Sequence, residues 1–157
     1  MATKTVRELA VEALISQLNE MTIGEPEADP YTVAWGLISR ADLSTFDKGK
    51  KYILGVYDTE EEKSEKLYPT VDCSLRVILE FYYRTAVSEV PSEQLNRILG
   101  EVERKLREDR TLKGTIYDIV FVGNELDIDS PYDDYVSAMM VIVLKYRHHV
   151  DDPRRSA

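Results

Sequence analysis

The sequence predicts one α+β domain, an antiparallel sheet of about four to five strands with two helices packed on one face. Three observations carry this. Val71, Cys73, Leu75, Val77, Leu79, Phe81 and Tyr83 are apolar or aromatic at every second position, with Asp72, Ser74, Arg76, Glu80 and Arg84 between them. Such alternation belongs to a strand with one buried and one wet face. Two other segments repeat their apolar residues at helical spacing. The order of elements, helix, strands, helix, strands, lays both helices over a sheet rather than threading them between parallel strands.

The first helix runs from about Thr5 to Met21. Thr5 and Glu8 have the spacing of a capping box, in which each side chain satisfies the other's backbone donor. Val6, Leu9, Ala10, Ala13, Leu14 and Leu18 form its apolar stripe, and Gly24 stops it. Glu25 to Tyr31, with two prolines and three acids, reads as a loop. Thr32-Val33-Ala34-Trp35-Gly36-Leu37-Ile38 is rich in strand formers and suits an edge strand. After a basic turn at Lys48 to Lys51, Tyr52 to Tyr57 is a second strand. Asp58 to Leu67 carries five acids and two lysines, too charged to pack, and predicts a mobile loop or hairpin tip.

The long alternating strand, Val71 to Tyr83, spans on the order of 45 Å at about 3.3 Å per residue. That exceeds the needs of a small core, so part of it is expected to project and pair elsewhere. Pro91 opens the second helix, which runs to about Asp109 with Leu95, Ile98, Leu99, Val102 and Leu106 on its apolar side. Gly114 separates it from a strand at Thr115 to Val122, and Asn124 to Asp134, with five acids and Pro131, reads as a second acidic loop. Tyr135 to His148 is the last strand, with Val136, Ala138, Met140, Ile142, Leu144 and Tyr146 on one face, followed by a polar tail, Val150 to Ala157. Without internal repeats or low-complexity linkers, residues 1–157 form a single domain.

Composition narrows the function classes. A chain of 157 residues, 43% of them hydrophobic, is long enough for one core and too apolar for wholesale disorder. The formal charge of -9 is opposite in sign to that of a general nucleic-acid binder, which must replace phosphate counterions. The single cysteine, Cys73, excludes an intramolecular disulfide and fits a reducing compartment. The longest apolar run, Ala138 to Leu144, is seven residues, far short of a membrane span. The polar start leads into a charged helix rather than a signal peptide, so synthesis and retention in the cytoplasm are expected, with no membrane partner.

Motifs for chemistry are sparse. The seven glycines are dispersed and form no phosphate-binding loop. Cys73 occupies an inward strand position and reads as a small core residue rather than a nucleophile. His148 and His149, with Asp151 and Asp152 beside them, are neighbours on a strand and point to opposite faces, a poor arrangement for sharing an ion. Ser44 and Thr45 have no histidine base nearby in the sequence. The acidic stretches Asp58 to Glu65 and Glu125 to Asp134 lack the calcium-loop pattern, although Asp127 and Asp129 alternate. They read as solvated loops or as docking surfaces steered by charge. The sequence thus predicts no catalytic residue, metal or cofactor. Its candidate site is an interface: the outward Arg76, Glu80, Tyr82 and Arg84 of the long strand, with Tyr132 as a further aromatic anchor.

The order of elements and the C-terminal half resemble the tail terminator (tail completion) proteins of long-tailed bacteriophages. The resemblance rests on the amphipathic N-terminal helix, on Tyr68-Pro69-Thr70-Val71 leading into the long alternating strand, and on the helix and Gly-spaced strand pair that follow. It ends with the hydrophobic strand closing on Tyr146-Arg147-His148 and then Asp152-Pro153. It covers nearly the whole chain as a pattern, without a diagnostic motif. What it implies is a structural virion protein made in the host cytoplasm and placed at the head–tail junction. There a homo-oligomer, a hexameric ring, caps the tail tube and stops its polymerisation. Its partners would be the major tail tube protein and the head–tail connector or neck proteins, with DNA passing through the lumen without specific binding. Contractile and non-contractile tails both use related domains. A neck or head-completion protein, or a non-catalytic regulatory binding module, are the alternative readings.

Overall fold

The computed structural model describes residues 3–41, 49–128 and 134–157. Two helices, α1 (Val6–Asn19) and α2 (Pro91–Glu108), lie with six strands: β1 (Leu37–Ser39), β2 (Tyr52–Leu67), β3 (Thr70–Arg84), β4 (Asp118–Asp127), β5 (Tyr135–His149) and β6 (Asp152–Ser156). The strands form one sheet in the order β1-β2-β3-β5-β4, with β6 also on β5. The α+β class is as expected, but the sheet has six strands instead of four or five, and it is mixed. β1 runs parallel to β2, pairing Leu37 with Ile53 and Ser39 with Gly55. The tail expected to be merely polar supplies β6, which folds back to set Ser156 beside His148.

The alternation of β3 dictates the layering. Its odd-numbered side chains, Val71 to Tyr83, are all buried, and they meet the even-numbered residues Val136 to Tyr146 of β5 in one core. The same core takes up Val6, Ala10, Val11, Leu14 and Leu18 of α1 and Leu95, Ile98, Leu99, Val102 and Leu106 of α2. Both helices therefore cover one face of the sheet. The stripe of α1 is rotated from expectation, because Leu9 is exposed while Val11 is fully buried. Thr5 caps α1 by accepting from the Glu8 amide at 3.1 Å. The Glu8 carboxylate does not return the bond but pairs with Arg40, so the capping box is one-sided. Pro91 fills the first turn of α2, where its missing N–H costs no helical bond.

Two expectations about the long strands do not hold. Asp58 to Leu67 is not a loop: it is the second half of β2, closed onto β3 through a turn at Tyr68 and Pro69, with Glu61 opposite Leu75 and Lys63 opposite Cys73. Asp58, Glu61 and Lys63 find partners within the fold, while Glu60, Glu62, Glu65 and Lys66 are exposed to solvent. Asp58 lies 2.9 Å from Arg7 and 3.1 Å from Arg40, and Lys63 Nζ is 3.1 Å from His148 Nε2. Nor does β3 project to pair elsewhere. It is central, bonded to β2 on one side and along its full length, Thr70↔His149 to Arg84↔Tyr135, to β5 on the other. The second acidic stretch is likewise strand as far as Asp127; residues 129–133 lie outside the described residues.

A compact turn joins α2 to β4. The Asp109 carboxylate accepts from the amides of Thr111 at 3.0 Å and Lys113 at 2.8 Å. Those bonds hold a left-handed run with φ of 49° at Leu112, 58° at Lys113 and 82° at Gly114. No helix among the described residues is long and apolar enough to cross a membrane.

Candidate functional site

With both helices on one face, no helix or strand among the described residues covers the other face of the sheet, and this open face carries the residues that alternation pointed outward. Register sets them in rows. Ile53, Tyr82, Ser137 and Asp127 stand side by side, then Gly55, Glu80, Met139 and Glu125, then Tyr57, Ile78, Val141 and Gly123. The next row holds Arg76, Val143 and Val120, and beyond it come Glu62, Ser74, Lys145 and Asp118. The middle of this face is apolar. Ile78, Met139, Val141 and Val143 are half-buried, and Val120 and Val122 of the edge strand β4 are exposed.

Charge is arranged around that band. Glu80, Glu125 and Asp127 gather at one end, about a shallow depression over Met139. Arg76, Lys145, Glu60 and Glu62 surround a second depression at the other end. Lys145 Nζ donates to Ser74 Oγ at 2.7 Å. Arg147 holds Asp72 at 2.5 Å and lies over the Tyr117 ring at 4.5 Å. Among the described residues the Arg76 side chain has no hydrogen-bond or ion-pair partner, while Glu80 accepts from the Tyr82 hydroxyl and has no cation.

Arg76, Glu80, Tyr82 and Arg84 thus share the open face, with Arg76 and Arg84 exposed. Tyr82 departs from its expected role. It is only 7% exposed and packs with Ile53, Tyr135 and Leu37 in a small cluster of its own, so its ring is already covered within the chain. Tyr132 lies outside the described residues. What sequence reasoning missed is the apolar band itself. Its signal was present in the run Ala138 to Leu144: seven consecutive apolar residues on a strand place apolar side chains on both faces.

The candidates for chemistry fall on the helix side. Cys73 is fully buried, and burial first, then the nearby Glu61 charge, push its thiol up to about 11. His148 is 5% exposed on the core side. Its Nδ1 faces the His149 carbonyl at 2.6 Å and its Nε2 faces Lys63, while His149 sits at the next register position on the opposite face. Tyr146 donates to Glu61, and its hydroxyl is pushed up by burial and by that carboxylate. Burial works against ionisation of Asp58, yet the bonds from Arg7 and Arg40 hold its carboxyl below the ordinary range. Arg7 reaches both Asp58 and Glu61 and so ties α1 to the distal half of β2. Among the described residues no group of three His, Cys, Asp or Glu side chains is placed to hold a metal ion. Asp127 is on β4, and Asp129, Ser44 and Thr45 lie outside the described residues.

No protein-family profile matches the chain, and no curated protein matches it significantly.

Proposed function

We propose that this chain is a structural assembly protein of a long-tailed bacteriophage, the terminator of the tail tube, and that it acts without catalysis. The observation that carries the reading is the open face: a five-strand-wide sheet covered by helices on one side leaves an apolar band, rimmed by charge, facing outward on the other. Soluble monomers seldom leave such a surface without a partner. The reading is also supported by the resemblance to tail terminator proteins drawn from the sequence.

In this reading six copies close into a ring by heterologous contacts. The outer edge of β4, and that of β2 beyond Gly55 where β1 ends, offer backbone donors and acceptors for such contacts. The ring seats on the major tail tube protein, ends its polymerisation and presents a surface to the connector or neck proteins. A charge of -9 on each copy makes the ring strongly acidic. A negative lumen repels phosphates and lets DNA pass without sticking.

The test is the tail-length distribution, by electron microscopy, of a phage deleted for this gene. Overlong tubes beside unattached heads are the expected result. Tails of normal length beside unattached heads would transfer the protein to head–tail joining, and intact particles would end the tail reading.

A further inference from the structure

The two central strands of the open face, β3 and β5, are nearly symmetrical about their common centre. On β3 the outward residues run Arg76, Ile78, Glu80; beside them on β5 run Val143, Val141, Met139, with Ile78 opposite Val141 and Arg76 opposite Val143. Reversing the strand direction about the Ile78–Val141 row exchanges Arg76 with Glu80 and Val143 with Met139. Along β3 and β5 the face is therefore complementary to itself: Ile78 and Val141 meet their own copies, Val143 meets Met139, and the cation without a partner among the described residues meets the carboxylate without a cation. The match ends at β4, where the same exchange sets Glu125 against Val120 and Asp127 against Asp118 and so weakens the pair.

We propose that this face binds a second copy of the chain about a two-fold axis. The axis lies across the strands and passes over Ile78 and Val141. Each Arg76 then meets Glu80 of the other copy, and the two sheets stack as in a β-sandwich, about 10 Å apart. Four strands spaced about 4.8 Å, over eight residues at about 3.3 Å each, cover roughly 500 Å² per copy. Counting both copies, that lies at the lower end of specific interfaces, which makes the pair reversible and concentration-dependent. The inference rests on the open face and is independent of the tail reading. A two-fold contact does not propagate around a six-membered ring, so the pair belongs to the free chain and covers the apolar band before assembly.

Sedimentation of the purified full-length chain across a concentration series tests this. A monomer–dimer equilibrium is expected. Arg76→Glu and Glu80→Arg, each alone, place like charges together and should remain monomeric at concentrations where the wild type pairs. Their equimolar mixture, and the double variant, should recover the dimer, because each restores opposite charges at both contacts. If either reversal fails to fold by circular dichroism, Arg76→Ser and Glu80→Gln should each weaken pairing by about fivefold, since two contacts are lost per dimer. A wild type that is monomeric throughout, or that forms only larger rings, overturns the two-fold pair. So do single reversals that dimerise like the wild type, a mixture that stays monomeric, or neutral variants with unchanged affinity. Tail-length defects are unaffected by any of these results, so the two readings fail separately.

Discussion

Cys73 shows how far one side chain can be read. Its inward position followed from alternation alone, and it is fully buried with its thiol pushed up to about 11. Tyr83, also buried, donates to Glu89 at 2.7 Å, and burial together with that carboxylate raises its hydroxyl to about 12. Both groups are held neutral by the fold, against ordinary values of 9.0 and 10.0. A raised folded value means that the stabilisation is complete below the unfolded value and is lost as pH rises through the folded one. Stability to urea is therefore expected to lose its contribution from these groups between pH 9 and 12, each removing up to about 1.4 kcal/mol per pH unit. Cys73→Ala should show a shallower fall between pH 9 and 11; an unchanged slope would assign the alkaline loss to other groups. Tyr82 marks the limit of the same reasoning. Period tells which face a strand residue joins, but it does not show that Leu37, Ile53 and Tyr135 will cover that face locally. Leu9 and Val11 exchanged places for a related reason, since the phase of a helix's stripe is set by the sheet it lands on.

At the scale of elements, both helices, the central strand and the last long strand were legible because each repeats its apolar residues over several turns or pleats. β2 was not. Its distal half has the composition of a loop, and it is a strand because β3 supplies a register, Arg7, Arg40 and His148 meet Asp58, Glu61 and Lys63, and the remaining charges point to solvent. Hydrogen exchange distinguishes the two descriptions. Amides of Asp58 to Leu67 that point at β3 should exchange more slowly than that of Val87, which is fully exposed in the turn before α2. Equal rates across both segments would return residues 58–67 to a loop. β6 escaped notice because it has no hydrophobic pattern; it is held by backbone pairing to β5.

Taken whole, the described residues form a sheet with two unlike faces, one packed under helices and one without a covering element. Substitutions on β3 should report that difference. Leu79→Ala, on the helix side and fully buried, is expected to cost about 2 to 5 kcal/mol. Arg76→Glu, three residues away on the bare side, should change the stability of the monomer by no more than about 0.5 kcal/mol. Urea unfolding of dilute protein measures both, and a large loss in the Arg76 variant would show that the open face contributes to the fold itself. The bare face was half legible: its charged positions came from β3, whereas its apolar centre required knowing that β3 lies beside β5.

That adjacency has a consequence during synthesis. β3 receives its first partner at once, through the hairpin with β2, but its second, β5, follows only after α2 and β4 have been made. At roughly 5–20 residues per second, the stretch from Arg84 to His149 takes about 3 to 13 s to emerge. For that interval the growing chain presents a long, strongly apolar strand with one edge unpaired. The nascent protein is thus most exposed to misassembly on the ribosome, and holding chaperones or slow expression should raise its soluble yield more than any change to the finished surface.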